Sequence, residues 1–291
     1  RSLHVTGVQT CALPISAMQT KDMKKDYEVA VLDPAGNVTA IVLSDVPAAE
    51  RARVAARLLR LPELHIEQAA FLTAPRCGGE IRLEMMGGEF CGNALRCAGF
   101  YHALRTGAQG KTCVFAEISG AEGVQPVMAD TAAGEASTVM PLPRAVQPVE
   151  WPDVPAVRVT FAGITHFVID RAQPDDALVQ RAIAAAPEAS AVGAVFLDRA
   201  AGSIRPVVFV RETGSCVAEA SCASGSVATA VVLTADFADG ITEIGIGQPG
   251  GTLEVGVQRT HGAVTGLSIG GPVRLAQTLT VTLPDTADAP C

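Results

Sequence analysis

A cysteine that opens an apolar helical run occurs twice in this chain, and few architectures accommodate both. In the first half, Gly87-Gly88-Glu89-Phe90-Cys91-Gly92-Asn93-Ala94 leads into Leu95 to Leu104. In the second half, Glu219-Ala220-Ser221-Cys222-Ala223-Ser224-Gly225-Ser226 leads into Val227 to Ala235. Both runs are apolar nearly all round: Ala94, Leu95, Ala98, Phe100, Tyr101 and Leu104 in one, Val227, Ala228, Val231, Val232 and Ala235 in the other. A helix with little polar face must be enclosed, so each half has to wrap other elements around its own helix. A cysteine at a helix start also meets unpaired N–H groups at the positive end of the dipole. That placement is expected to lower a thiol pKa and to offer a seat for a carboxylate. Two such places suit paired thiols facing one small anionic substrate. The alternative is two buried structural cysteines, since free cysteine is among the most buried residue types.

The elements around each run follow one order. In the first half, strands are expected at Tyr27 to Leu32 and Val38 to Leu43, joined by the turn Asp33-Pro34-Ala35-Gly36-Asn37. Pro47 opens a helix to about Leu61. Strands at Ile66 to Thr73 and Glu80 to Met85 precede the first cysteine, and three more follow Gly107, ending near Met140. Prolines 141, 143, 148, 152 and 155 then mark an expected domain boundary. The second half repeats the order: strands at Ala156 to Phe161 and His166 to Asp170, and a helix opened by Pro174-Asp175-Asp176. Strands near Ala194 to Asp198 and Ile204 to Arg211 then precede the second cysteine, and three follow, with Pro249-Gly250-Gly251 as a turn. This reads as an internal duplication. The expected divisions are 1–22 as a leader, 23–145 and 146–270 as two lobes, and 271–291 as a final strand and tail returning to the first lobe. Arg1 to Ile15 reads as translated sequencing-adapter sequence, with a start near Met18 or Met23, so Cys11 is given no role.

Composition narrows the function. Hydrophobic residues make up 48% and charged residues 18% of 291, the balance of a compact protein. A net charge of −8 argues against nucleic acid or an anionic membrane as the main partner. No apolar run reaches the roughly 18 residues of a bilayer span. Eight cysteines without a C-x-x-C pair or a zinc-like spacing to the five histidines give no metal site. Reduced thiols in a cytoplasmic setting are therefore expected rather than a disulfide framework.

With these residues in view, the chain resembles the diaminopimelate epimerase superfamily, which includes proline racemases, phenazine-biosynthesis isomerases and histidine racemases. The resemblance covers most of Met23 to Leu283. It rests on Gly36-Asn37, Cys91-Gly92-Asn93, Arg211-Glu212-Thr213-Gly214, Cys222-Ala223-Ser224-Gly225 and Pro249-Gly250-Gly251 in that order. It implies an α/β (α+β) fold of two pseudo-symmetric lobes, each a curved, mostly antiparallel sheet around a central helix, with no cofactor and no metal. It implies that Cys91 and Cys222 act on opposite faces of an amino-acid substrate, with His166 and Glu212 beside them tuning their protonation. Asn37, Gly92, Asn93, Thr213, Ala223 and Ser224 are the implied substrate-binding positions, and a homodimer is an open possibility. Asparagines and an arginine that hold the far end of diaminopimelate in that family are replaced here by Met85, Ile164, Thr213 and Gly193 or Ala194. A smaller or uncharged side chain then fits better, because a distal ammonium and carboxylate would go unpaired. The spelling Gly-Gly-Glu-Phe-Cys-Gly-Asn is similar to that of histidine racemases, which makes histidine the leading substrate. Diaminopimelate itself, and a non-catalytic amino-acid-binding or redox-sensing role, are the alternatives.

Overall fold

The computed structural model describes residues 24–285; the leader, Cys11 and the last residues of the expected tail lie outside them. The first run of elements is β1 (Lys24–Asp33), β2 (Thr39–Val42), α1 (Ala48–Leu58), β3 (Gln68–Thr73), β4 (Ile81–Met85), α2 (Gly92–Arg105), β5 (Lys111–Ile118), β6 (Gln125–Asp130) and β7 (Glu135–Val139). After β8 (Ala145–Val149) come β9 (Ala156–Thr160), β10 (Ile164–Ile169), α3 (Asp176–Ala185), β11 (Ala191–Asp198), β12 (Ser203–Val210) and β13 (Ser215–Ala218). The chain finishes with α4 (Ala223–Leu233), β14 (Gly240–Gln248), β15 (Gly251–Thr260), β16 (Ala263–Pro272) and β17 (Arg274–Pro284). This is a mixed α+β architecture, mostly sheet.

Strand pairing follows one pattern twice. In the first run β1–β2 is antiparallel, β2–β3 parallel, β3–β4 antiparallel, β4–β5 parallel, and β5–β6 and β6–β7 antiparallel. The second has the same sequence of directions through β9–β10, β10–β11, β11–β12, β12–β14, β14–β15 and β15–β16. The short hairpin strand β13 interrupts it, paired only to β12. The parallel steps β2–β3 and β10–β11 each require a crossover, and α1 and α3 supply them. The two runs join edge to edge through antiparallel β7 and β16, with Val139 opposite Ser268. β17 adds to β1 and β8 adds to β9, both antiparallel.

Hydrophobic burial follows the same division. Leu95, Ala98, Phe100 and Tyr101 of α2 pack into the inner faces of β4 to β7. Val227, Ala228 and Val231 of α4 pack into those of β9 to β12 and β14 to β16. The amphipathic helices lie outside: α1 buries Val54, Ala55 and Leu58 against β1 to β3, and α3 buries Leu178, Val179 and Ala182 against β10 and β11. Asp175 caps α3, its carboxylate accepting the N–H groups of Ala177 and Leu178, a cap worth about 1 kcal/mol.

Two elements depart from expectation. The proline-marked stretch holds β8, which tolerates Pro148 because only β9 pairs with it and a missing N–H costs little on an edge. The segment after Arg211-Glu212-Thr213-Gly214 forms β13, whose Cys216 and Val217 are both exposed.

Candidate active site

Cys91 and Cys222 hold equivalent places, each the N-cap residue of an enclosed helix with extended backbone (φ −133° and −120°). The two helix starts meet. A Cβ placed on Gly92 would sit 3.4 Å from Ala223 Cβ and 2.6 Å from Met140 Sδ, so the approach depends on glycine there. Around Cys91, Ala94 donates its N–H to the sulfur (3.4 Å) and the thiol donates to Gln68 Oε1 (3.4 Å). The Gln68 amide nitrogen is fixed in turn on Thr39 Oγ1 (2.7 Å).

Around Cys222 a longer chain of contacts forms. The imidazole of fully buried His166 lies with Nε2 2.8 Å from Ser224 Oγ, and that hydroxyl lies 3.7 Å from Cys222 Sγ. Among the described residues His166 Nδ1 has no hydrogen-bond partner. The Ser224 hydroxyl, which can both donate and accept, thus bridges the imidazole and the sulfur. Gly193 stands beside His166 across the parallel β10–β11 pair, and a Cβ there would fall 2.1 Å from Nδ1. The glycine is therefore the imprint of the histidine ring. Cys222 N–H donates to Gln248 Oε1 (2.6 Å), and Asn37 Nδ2 donates to Ser221 O (3.1 Å). These bonds settle both amide orientations and leave Gln248 Nε2 as a buried unpaired donor and Asn37 Oδ1 as a buried unpaired acceptor. Asn37 reaches Ser221 from a left-handed turn position (φ 57°), a conformation Asn accepts readily. Asn93 donates to Ser221 Oγ at 3.5 Å.

The expected drop in thiol pKa is not what this arrangement produces. Burial pushes Cys91 up to about 11, against the opposing pull of Ala94 N–H and Gln68. Cys222 is raised well above the ordinary thiol range, by burial first and then by the carboxylate of Glu219. Helix-end donors act in the expected direction but are outweighed by loss of water. Partly buried Glu219 hydrogen-bonds to the Cys222 thiol, and burial, with the charge of Glu67, pushes it up to about 7. Burial holds His166 down at about 4, so its ring is neutral at physiological pH.

Of the expected site residues, Cys91, Gly92, Asn93, Cys222, Ala223, Ser224, His166 and Asn37 converge. Glu212 and Thr213 do not. They lie on the exposed turn at the tip of the β12–β13 hairpin, where Thr213 bonds to Ser215. The hairpin places them three to four residue pairs, roughly 10–13 Å at ~3.3 Å per residue, from its Ala218 end. The carboxylate at the thiol is Glu219 instead, in the irregular segment between β13 and α4. Gln68, Gln248 and Glu219 were missed; Glu219, three residues before Cys222, and Gln248, directly before Pro249-Gly250-Gly251, stood beside motifs already singled out. Among the described residues no group of three or more His, Cys, Asp or Glu is placed to hold a metal ion, and no helix is long and apolar enough to cross a membrane.

The fold and the family place the chain in a class. It is similar to the solved structure of a Bacillus anthracis phenazine biosynthesis protein of the PhzF family, with a TM-score of 0.66 at 13% identity over 88% of this chain and 99% of that one. It is also similar to a hydroxyproline epimerase from Agrobacterium vitis, with a TM-score of 0.59 at 13% identity over 90% and 93%. In sequence it is 29% identical to a histidine racemase of Fusobacterium nucleatum over 272 residues, 86% of this chain and 96% of that protein. A histidine racemase of Staphylococcus aureus is 27% identical, over 86% and 96%. The protein is an isomerase of the racemase and epimerase type. Residues 28–281 match the model of the histidine racemase CntK N-terminal domain, and the chain belongs to that family.

Proposed function

We propose that this protein racemises a free amino acid, histidine foremost, with Cys91 and Cys222 acting on opposite faces of the α-carbon as in the diaminopimelate epimerase superfamily. One observation carries the reading: both cysteines cap enclosed helices whose starts meet, so that a Cβ on Gly92 would lie 3.4 Å from that of Ala223. Inversion needs a base on one face and an acid on the other. One thiolate takes the α-proton and its electron pair passes into the carboxylate. The opposite thiol then gives a proton to the other face, and the reverse reaction exchanges the roles. The helix-terminal N–H groups receive the carboxylate as its charge grows. The unpaired Gln248 Nε2 is a further donor for it, and the unpaired Asn37 Oδ1 an acceptor for the α-ammonium. Glu219, hydrogen-bonded to the Cys222 thiol, favours its protonated form, the state that delivers a proton. The carboxylates of Glu89 and Glu219, which act on the Cys91 thiol, suit a substrate carrying a second basic group.

Independence from pyridoxal phosphate is supported by lysine usage. The cofactor needs a lysine for its Schiff base, and the lysines among the described residues, Lys24, Lys25 and Lys111, are on outlying strand ends of β1 and β5. A cytoplasmic setting would keep both thiols reduced. The test is α-proton exchange in deuterated water, followed by NMR with reductant present, over free amino acids and diaminopimelate. Exchange and inversion of histidine, lost in Cys91→Ser and in Cys222→Ser while each variant stays folded, is the expected result. Near-normal turnover in either variant would sink the two-thiol mechanism, and exchange of diaminopimelate alone would sink the substrate.

A further inference from the structure

The end of α4 remote from Cys222 opens on a hollow that the two-thiol scheme leaves unused. It measures about 320 Å³ and lies among the first residues of β8, the last turn of α4 and the turn between β15 and β16. Val146, Val231, Ala235 and Val264 give it apolar walls, and Arg144 and Arg259 bring two positive charges. Among the described residues no acidic side chain lines it. Arg259 is only 8% exposed. Its Nη1 donates to Gly262 O (3.2 Å) and Nη2 to Val231 O (3.1 Å), while Nε is buried without a hydrogen-bond partner among the described residues. Both acceptors are neutral. A guanidinium buried without a counter-charge is expensive. Exposed Arg144 donates its backbone N–H to Thr160 O, and its side chain has no ion pair or hydrogen bond among the described residues. The carboxylate of Asp239 accepts the N–H groups of His261 (2.6 Å) and Gly262 (2.9 Å) at the nearby turn and forms no ion pair with either arginine.

We propose that this hollow is a second binding site, separate from the thiols, for a small organic anion: one carboxylate or phosphate on an apolar body. The inference is independent of the two-thiol reading. Two cations lining one space repel each other, and an anion between them replaces that repulsion with charge-assisted hydrogen bonds, for which the guanidinium fork is well suited. The apolar walls receive the rest of the ligand, which covers Val146, otherwise 44% exposed. The volume falls at the lower end of small-molecule pockets. Another hollow, of about 270 Å³ beside β9 and β10, also holds an arginine, Arg199, but Asp170 pairs with it there (2.5 Å) and its charge is already met. Val231 stands nine positions after Cys222, about 13.5 Å along the helix axis. An occupant therefore sits apart from the substrate.

Saturation-transfer difference NMR on the full chain reads binding of three probes: phenylacetate, phenyl phosphate and the neutral phenylacetamide. At least one anion should bind about tenfold or more tightly than the amide, and which one does so tells the headgroup that the arginines take. Arg144→Gln should weaken that anion about tenfold, the worth of a charged hydrogen bond, and Ala235→Trp, which puts an indole into the hollow, should abolish its binding. Arg144 and Ala235 are exposed, so both variants should fold and keep the α-proton exchange rate of the native chain. Equal binding of the amide and both anions overturns the proposal, as does binding of none of them. Anion binding that neither variant changes also overturns it, because the probe then sits at the helix starts beside the thiols. Failure of the racemase reading looks different: no amino acid would exchange its α-proton, while the anion would still bind and still respond to Arg144→Gln and Ala235→Trp.

Discussion

Acidification should unfold this protein through one histidine more than any other. His166 is fully buried, has a single hydrogen-bond partner among the described residues in Ser224, and is held by burial at about 4 against an ordinary 6.5. Between those values the unfolded chain binds a proton that the folded chain refuses, so stability falls as pH drops through that window. At about 1.4 kcal/mol per pH unit, the full gap is worth about 3 kcal/mol at pH 4 relative to pH 7. That is a large share of the 5–15 kcal/mol or so that holds a typical domain. Glu219 works the other way: its folded value of about 7 lies above the ordinary 4.5, so its contribution is present below 4.5 and is lost as pH rises through 7. Urea denaturation at half-unit steps from pH 4.5 to 7.5, for the native chain, His166→Gln and Glu219→Gln, separates the two. His166→Gln should flatten the acid side and Glu219→Gln should flatten the loss toward pH 7. If His166→Gln is folded and keeps the full acid slope, the ring is not buried neutral.

Other perturbations test the site piece by piece. Ser224→Ala removes the hydroxyl between His166 and Cys222; turnover in the exchange assay should fall at least about tenfold, the worth of a hydrogen bond to a charged group. Gly193→Ala forces a methyl onto His166 Nδ1, an overpacking cost of about 1–3 kcal/mol that calorimetry should register as a lower Tm alongside lost activity. Gln248→Leu should raise KM by about tenfold or more with a smaller change in kcat, because its free Nε2 is assigned to the substrate carboxylate; an unchanged KM would remove it from the site.

Most of the fold was legible because two signals agreed, hydrophobic periodicity and the repeated order of elements. The all-round apolar faces of α2 and α4 announced their enclosure, and the strand-pairing directions run in one order in both halves, with β13 inserted in the second. β8 was hidden by its prolines, which read as a linker until an edge position explains them. β13 was hidden because its four residues, Ser215 to Ala218, are all exposed and carry no burial pattern. At the site, motif order brought out Cys91, Cys222, His166, Asn37 and Asn93, which converge. Glu212 drew attention through its Arg-Glu-Thr-Gly setting, yet a hairpin carries it away and Glu219 stands at the thiol. Sequence adjacency could not show this, because the reach of a residue depends on where the chain reverses. The thiol pKa was misjudged for a related reason: a helix dipole is visible in sequence, whereas the dryness of its surroundings is a property of the packed whole.

The unequal settings of the two thiols have a thermodynamic consequence. Free L and D forms of a one-centre amino acid have the same free energy, so the equilibrium constant of their interconversion is one. The Haldane relation then obliges kcat/KM to be identical for both enantiomers, whatever the protein does to its cysteines. Cys222 is almost closed off, with serine, histidine and a carboxylate around it, while Cys91 is more open and leans on glutamine and a backbone amide. Such an imbalance can surface only as matched differences in kcat and KM between the two directions. The mirror-image substrates should therefore saturate the enzyme at different concentrations and turn over at different limiting rates, in the same proportion.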